Sequence, residues 1–332
     1  MVDLHLHLDG SLTAEDAMRL AEIAGVSVPD DTELLERALK VSESCSSLSE
    51  YLEKFDLPLS LLQSEQAIAY AVRSLIERLE GEGLLYAEIR FAPMLHTKGG
   101  VSCREVVKAA TKSAEAACRA SSIKVNLILC CMRGASLEDN LEVVAAAEEF
   151  LSRGVVALDL AGDEAKYPTE LYAEVFAAAK KKGIPFTIHA GEAAGYDQVG
   201  VALDMGAARI GHGIRSAQSD RIMSRLSTGR VLCEMCYRSN FNTGAIKAKD
   251  EFPIREFIAK GVPFCLNTDN KSVSATDLRG EYLSVREDFA LGTRELFKLL
   301  SNAIEAAFLS EKEKSELLEL CEDKFPDWLE SR

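Results

Sequence analysis

The chain of 332 residues has no apolar stretch of membrane-spanning length, no cluster of lysines and arginines that stands out from its acidic background, no low-complexity segment and no Pro/Gly-rich linker. Each absence removes a class of protein. The start, Met1-Val2-Asp3-Leu4-His5, has neither the basic residues nor the apolar run of a secretory signal, so a cytoplasmic protein without a membrane span is expected. Without basic clusters, and with a net charge of −15, the chain is expected to repel nucleic acid and anionic membrane surfaces. Proline is scarce, at 8 residues, while 47% of the residues are hydrophobic; a large buried core is expected and disorder is not. With no linker and no internal repeat, one domain over residues 1–332 is the simplest organisation.

Nine cysteines is an odd number, scattered through a chain with no export signal, which argues against a disulfide framework. Cys233 and Cys236 form a C-x-x-C, but no second pair with zinc-finger spacing accompanies it, so both read as small core residues. Also absent are a G-x-G-x-x-G after a strand and a G-x-x-x-x-G-K-[ST], which weighs against an open doubly wound sheet.

What is present is an alternation. Eight short runs rich in β-branched and aromatic residues begin at Val2, Leu84, Lys124, Gly154, Ile184, Ala207, Arg230 and Val262, and helical patterns separate most of them. The pattern predicts an α/β fold, a TIM-type (β/α)8 barrel. Its first helix is legible in detail: Thr13 and Asp16 form a capping-box pattern, Ala17, Leu20, Ala21 and Ala24 share a face, and Gly25 ends it. Residues 64–80 and 141–153 repeat the sequence of amphipathic helix, glycine, strand. Two regions exceed a minimal barrel: residues 41–62, with Leu48, Tyr51, Leu52 and Phe55 at helical spacing, and the charged tail from Ser310. The first either covers the barrel mouth or packs as a surface helix on the barrel wall.

Histidine is scarce too, with five residues, and four of them fall near the ends of predicted strands. In a parallel barrel the C-terminal strand ends converge on one mouth, where residues distant in sequence meet. His5 and His7, two apart on a strand, point to one face and can grip one ion; alone, they could equally be a packed or hydrogen-bonded pair. His189 opens His-Ala-Gly-Glu at the end of the fifth run, where the small residues let the chain turn and bring Glu192 back to the same place. Asp269 closes the eighth run, which the barrel seam puts beside the first. Three imidazoles and a carboxylate from His5, His7, His189 and Asp269 suit one zinc ion, with iron, cobalt or manganese as alternatives. An open position for water on such an ion lowers the water's pKa to about 7, and hydrolysis follows. His212, between two glycines, reads either as a base or orienter for that water or as a buried histidine satisfied by a carbonyl. His96 looks like a loop residue without a role.

In this order the motifs resemble the adenosine deaminase family: His-Leu-His-Leu-Asp-Gly-Ser at 5–11, Asp-Leu-Ala-Gly-Asp-Glu at 159–164, His-Ala-Gly-Glu at 189–192, Gly-His-Gly at 211–213 and Asn-Thr-Asp at 267–269. Residues 90–93, 129–133 and 47–56 look like family segments as well. The resemblance implies the same four zinc ligands and a substrate: adenosine, and 2′-deoxyadenosine, deaminated at C6 to inosine in purine salvage. It further implies that Glu192 protonates ring N1, that His212 and Asp269 position and deprotonate the water, that Gly162 N–H reaches N3, and that Asp9 and His7 contact the ribose. Two departures stand out. Asn270-Lys271 replaces a second Asp and a Pro; that Asp contacts N7 in the family, and an Asn amide can donate there without being protonated. Tyr237-Arg238-Ser239-Asn240 stands where Pro-Thr-Ser-Asn is common. Free adenine or a modified adenine nucleoside would need the same chemistry, and a catalytically silent nucleoside-binding barrel is the reading from another class; AMP is less expected, since no basic cluster is evident at the strand ends, and guanine and cytosine find no support.

Overall fold

Each of the eight runs forms a parallel strand. The computed structural model describes residues 1–42, 45 and 47–331 and contains β1 (Val2–His7), β2 (Tyr86–Phe91), β3 (Lys124–Met132), β4 (Val155–Ala161), β5 (Thr187–Ala190), β6 (Arg209–His212), β7 (Leu232–Met235) and β8 (Phe264–Leu266). They pair in chain order as β1-β2-β3-β4 and β5-β6-β7-β8. Parallel bridges join the two sheets at both seams, Leu158 to Phe186 between β4 and β5, and Leu6 to Asp269 between β1 and the end of β8. At the second seam Asp269 N donates to His5 O (2.8 Å) and His7 N to Asp269 O (2.7 Å). The strands are buried on both faces, as crossover helices in a parallel fold require, which is why they read as nearly continuous apolar runs.

The first helix, Ala14–Ala24, carries the expected reciprocal cap between Thr13 and Asp16, and Gly25 ends it in the left-handed conformation, φ 67°. Ala17, Leu20 and Ala21 are buried, but Ala24 is exposed, because the last turn runs past the edge of the core. The Glu65–Gly81 helix starts after Ser64 as predicted. The next expected helix begins earlier than its apolar pattern, at Leu137, where Ser136 caps the polar first turn.

Residues 48–61 form two short helices, Leu48–Leu52 and Asp56–Leu61, joined by a turn at Glu53–Phe55. Leu48, Tyr51, Leu52 and Phe55 line a cavity at the barrel mouth, so this segment covers the mouth; residues 43, 44 and 46 of the region lie outside the described residues. Tyr51 anchors it, with its hydroxyl 2.8 Å from Ser274 Oγ on the loop after β8. The tail forms the Glu311–Glu330 helix, whose Phe325 and Trp328 pack with Tyr282. One apolar core runs from Met1 to Leu329. No helix among the described residues is long and apolar enough to cross a membrane.

The barrel interior is strongly polar toward its centre. Arg90 bonds Asp159 and Glu234, both at 2.9 Å, and Arg209 bonds Glu234 (2.6 Å) and Glu88. All five side chains are fully or almost fully buried, so each charge depends on its partners.

Candidate active site

The polar column ends under two histidines. His5 Nδ1 lies 2.8 Å from Glu234 Oε2, and His189 Nδ1 lies 2.9 Å from Asp159 Oδ2. Burial works against the charge of both carboxylates, but Arg90 with Arg209 around Glu234, and His189 with Arg90 around Asp159, hold each well below the usual carboxylate range. Ionised acceptors take the proton on Nδ1, which leaves each Nε2 as the electron-pair donor. His5 Nε2 is buried and has no hydrogen-bond partner among the described residues.

Ligand atoms of His5, His7, His189 and Asp269 all lie within 4.8 Å of one another. His5 Nε2 and His7 Nε2 are each 3.4 Å from Asp269 Oδ1. That is too long for a good hydrogen bond, yet it matches the edge of a tetrahedron whose corners are about 2.0–2.1 Å from a central ion, an edge of about 3.3–3.4 Å. The orphaned nitrogen, the oriented rings and the spacing together fit a metal ion. Asp269 is steadied from outside: Ser239 Oγ donates to its Oδ2 at 2.5 Å. Burial opposes its charge, but the close His5 imidazole and then those of His212 and His7 hold it far below the usual range.

Beside the histidines stands Glu192. Gly191 makes the turn that presents it, at φ 72°, where an added Cβ would stand 2.6 Å from Val199. The turn is locked by one carboxylate: Glu164 accepts the backbone N–H groups of Gly191, Glu192, Ala193 and Ala194 at 2.6–3.0 Å. Burial, followed by the negative charges of Asp269 and Glu164, pushes the Glu192 carboxyl up to about 8, so it is neutral at pH 7. Thr243 Oγ1 donates to its Oε1 at 3.0 Å.

His212 Nε2 is 3.5 Å from Glu192 Oε2, and the Asn240 amide lies 3.1 Å from His212 Nδ1. Burial, only partly offset by Asp269, keeps this imidazole neutral, well below its ordinary value. Both His212 and Asp269 have left-handed backbones, φ 58° and 59°, at the ends of their strands.

Above these groups is a cavity of about 220 Å³. It is lined by His7, Asp9, Gly162, His189, Glu192, His212, Asp269 and Asn270, with the apolar cap residues closing the far side. Every residue assigned a catalytic, metal or substrate role from the sequence is therefore at this place, His5 lying fully buried among the ligand atoms. Burial pushes the Asp9 carboxyl up to about 6, and its Oδ1 has no partner among the described residues. Gly10 makes room for Asn270, whose Oδ1 would stand 1.9 Å from a Cβ at that position. The Tyr237–Asn240 departure leaves Ser239 and Asn240 holding Asp269 and His212. Sequence reasoning missed Glu164, Glu234 and Asp159 as supports. It also misplaced His96, which sits in the short Pro93–His96 helix, fully buried, with Nδ1 3.1 Å from Leu62 O.

The sequence profile described as "Adenosine deaminase" matches residues 1–324. The chain belongs to the adenosine deaminase family. An adenosine deaminase of Haemophilus ducreyi is 46% identical over 332 residues, covering 98% of this chain and 96% of that protein; one of Clostridium acetobutylicum is 38% identical over 319 residues, covering 96% and 95%. Among solved structures, an adenine deaminase from Arthrobacter aurescens superposes with a TM-score of 0.88 at 25% identity, over 99% of both chains. The N6-methyl-AMP deaminase of Arabidopsis thaliana gives 0.85 at 26%, over 98% of this chain and 97% of that one. The fold is thus shared by deaminases whose named substrates differ beyond the adenine ring.

Proposed function

We propose that this chain is a zinc-dependent adenosine deaminase, converting adenosine or 2′-deoxyadenosine to inosine or 2′-deoxyinosine with release of ammonia, in purine salvage. The observation that carries the reading is a neutral Glu192 carboxyl at the same cavity floor as the His5, His7, His189 and Asp269 ligand set. Three imidazoles with one carboxylate favour zinc over magnesium or calcium, which prefer oxygen shells. A zinc ion there supplies the Lewis acidity that brings a water's pKa down to about 7.

The protein's own groups divide the remaining work. The amine leaves poorly from an aromatic ring, and Glu192, protonated at neutral pH, donates to N1 so that C6 becomes electrophilic enough for attack. His212, held neutral, accepts a proton from the attacking water, while the ionised Asp269 orients that water. A C–O bond forms at C6, and the proton taken up by His212 passes to the leaving amine as the C–N bond breaks and releases ammonia. The new C6 hydroxyl returns a proton to Glu192 to leave the C6 carbonyl of inosine. Asn270 donates its amide to N7, Gly162 N–H faces N3, and Asp9 with His7 meets the ribose; the unpaired Asp9 oxygen supports a hydroxyl partner there. That oxygen favours a nucleoside over free adenine. No lysine or arginine among the described residues lines the cavity, which disfavours a phosphate-bearing substrate. A silent binding barrel has no use for a neutral acid beside a metal cage. The contiguous core supports one domain over residues 1–332, and composition supports a cytoplasmic enzyme.

The test is incubation of the zinc-loaded protein with adenosine, 2′-deoxyadenosine, adenine and AMP separately, following ammonia and the purine ultraviolet spectrum, with a chelator control. Chelator-sensitive turnover of adenosine is expected. Turnover of adenine alone would overturn the nucleoside assignment, and no turnover of any of the four would overturn the enzyme.

A further inference from the structure

Cys236 stands beside the metal cage and has no part in the deamination. It follows β7, is fully buried, and its Sγ meets the carbonyl of Glu234 at 3.5 Å. One ligand atom from each of His5, His212, Cys236 and Asp269 lies within 4.8 Å of the other three, the same closeness that defines the His5, His7, His189, Asp269 set. His212 has Nδ1 occupied by Asn240, so its free nitrogen is Nε2, and His5 Nε2 is buried without a partner. All four residues of this second set are buried, whereas the first includes the partly exposed His7.

We propose that these four residues form a second cation position, one that takes a thiophilic divalent ion such as cadmium. Two imidazoles, a carboxylate and a thiolate make a borderline-soft donor set, and the sulfur shifts its preference away from hard ions. The four ligand atoms lie within 4.8 Å of one another, close enough for one ion to reach them all after side-chain adjustment, and an ion larger than zinc needs less of it. Binding replaces the Cys236 thiol proton by the metal–sulfur bond and releases that proton to solvent. The two positions share His5 and Asp269, and a single imidazole nitrogen holds one ion, so they are alternatives. An ion in the second position also occupies His212, the proton acceptor of the proposed reaction. Cadmium then inhibits by sitting in the wrong place, and His7 and His189 separate this proposal from the zinc reading.

The experiment is a cadmium titration of the zinc-free full-length protein, read by sulfur-to-cadmium charge-transfer absorption. A band saturating at a single equivalent is expected in the unsubstituted protein and in His7→Ala, and its loss in Cys236→Ser. No band in the unsubstituted protein, persistence in Cys236→Ser, or loss in His7→Ala each overturns the second position; the His7→Ala arm decides even if the cysteine variant does not fold. Zinc titration of the same variants reads the other set: binding retained in Cys236→Ser and weakened in His7→Ala is expected. Zinc binding by His7→Ala equal to that of the unsubstituted protein would overturn the zinc set and leave the cadmium position standing.

Discussion

The two halves of the barrel are built differently. β1 to β4 have 6, 6, 9 and 7 residues, whereas β5 to β8 have 4, 4, 4 and 3. The first half is held by long backbone ladders. The second ends its strands early, and the chain beyond them becomes the reacting floor: Glu192 after β5, His212 at the tip of β6, Ser239 and Asn240 after β7, Asp269 after β8. Backbone pairing is thus given up where side chains must converge, and buried polar bonds replace it. The ligand set joins the halves, with His5 and His7 from one and His189 and Asp269 from the other.

The sharpest way to break this comparison is at the acid of the short-stranded half. Glu192→Gln should lower kcat by about 10²–10⁴-fold with little change in Tm if its role is the chemical one proposed. Because Glu192 must be protonated to act, kcat/KM should hold steady at neutral pH and fall as pH rises through about 8; the residual rate of the Gln variant should lack that limb. A variant with the original rate would remove the acid from the mechanism. The next effect is on the column that supports both halves. Glu234→Gln removes one of the two carboxylates that face each of Arg90 and Arg209, along with the ionised acceptor of the His5 ring, and should cost about 3–5 kcal/mol in denaturant unfolding. Loss below 1 kcal/mol would mean that the arginines find other partners.

Removing the metal should be milder and local. At a free zinc concentration about 100 times its Kd, binding contributes about 2.7 kcal/mol, so chelation should lower Tm and speed hydrogen exchange at the Leu6–Asp269 seam more than within β2 and β3. Uniform acceleration would show that the halves open together. Smallest is the cap: Tyr51→Phe removes the hydroxyl contact to Ser274, with an expected cost of about 0.5–1.5 kcal/mol and a rise in KM at nearly constant kcat. A fall in kcat instead would place Tyr51 in the chemistry.

The same division governs what could be read in advance. All eight strands announced themselves because strands buried on both faces are apolar throughout, and four histidines at their ends marked the mouth. The supports were illegible. Arg90 pairs with Glu234 across 144 positions and His5 with Glu234 across 229, and nothing local to either tells which charge it will meet. Glu164 lay inside a motif seen only as a family segment; its four bonds to the turn of Gly191 become visible once β4 and β5 are neighbours. His96 read as a loop residue without a role because burial of its ring depends on packing from residues 62 and 91, which the sequence around it does not contain.

The left-handed backbones of His212 and Asp269 set the direction in which this protein can be improved. A glycine at either position would adopt the same turn without the steric penalty that a Cβ brings there, a relief of about 1–3 kcal/mol in strained backbone, and would delete the imidazole or carboxylate to which the proposed reaction gives a role. Selection for heat resistance alone would therefore drift toward an inert barrel at these two positions. Thermostability and turnover have to be selected together here.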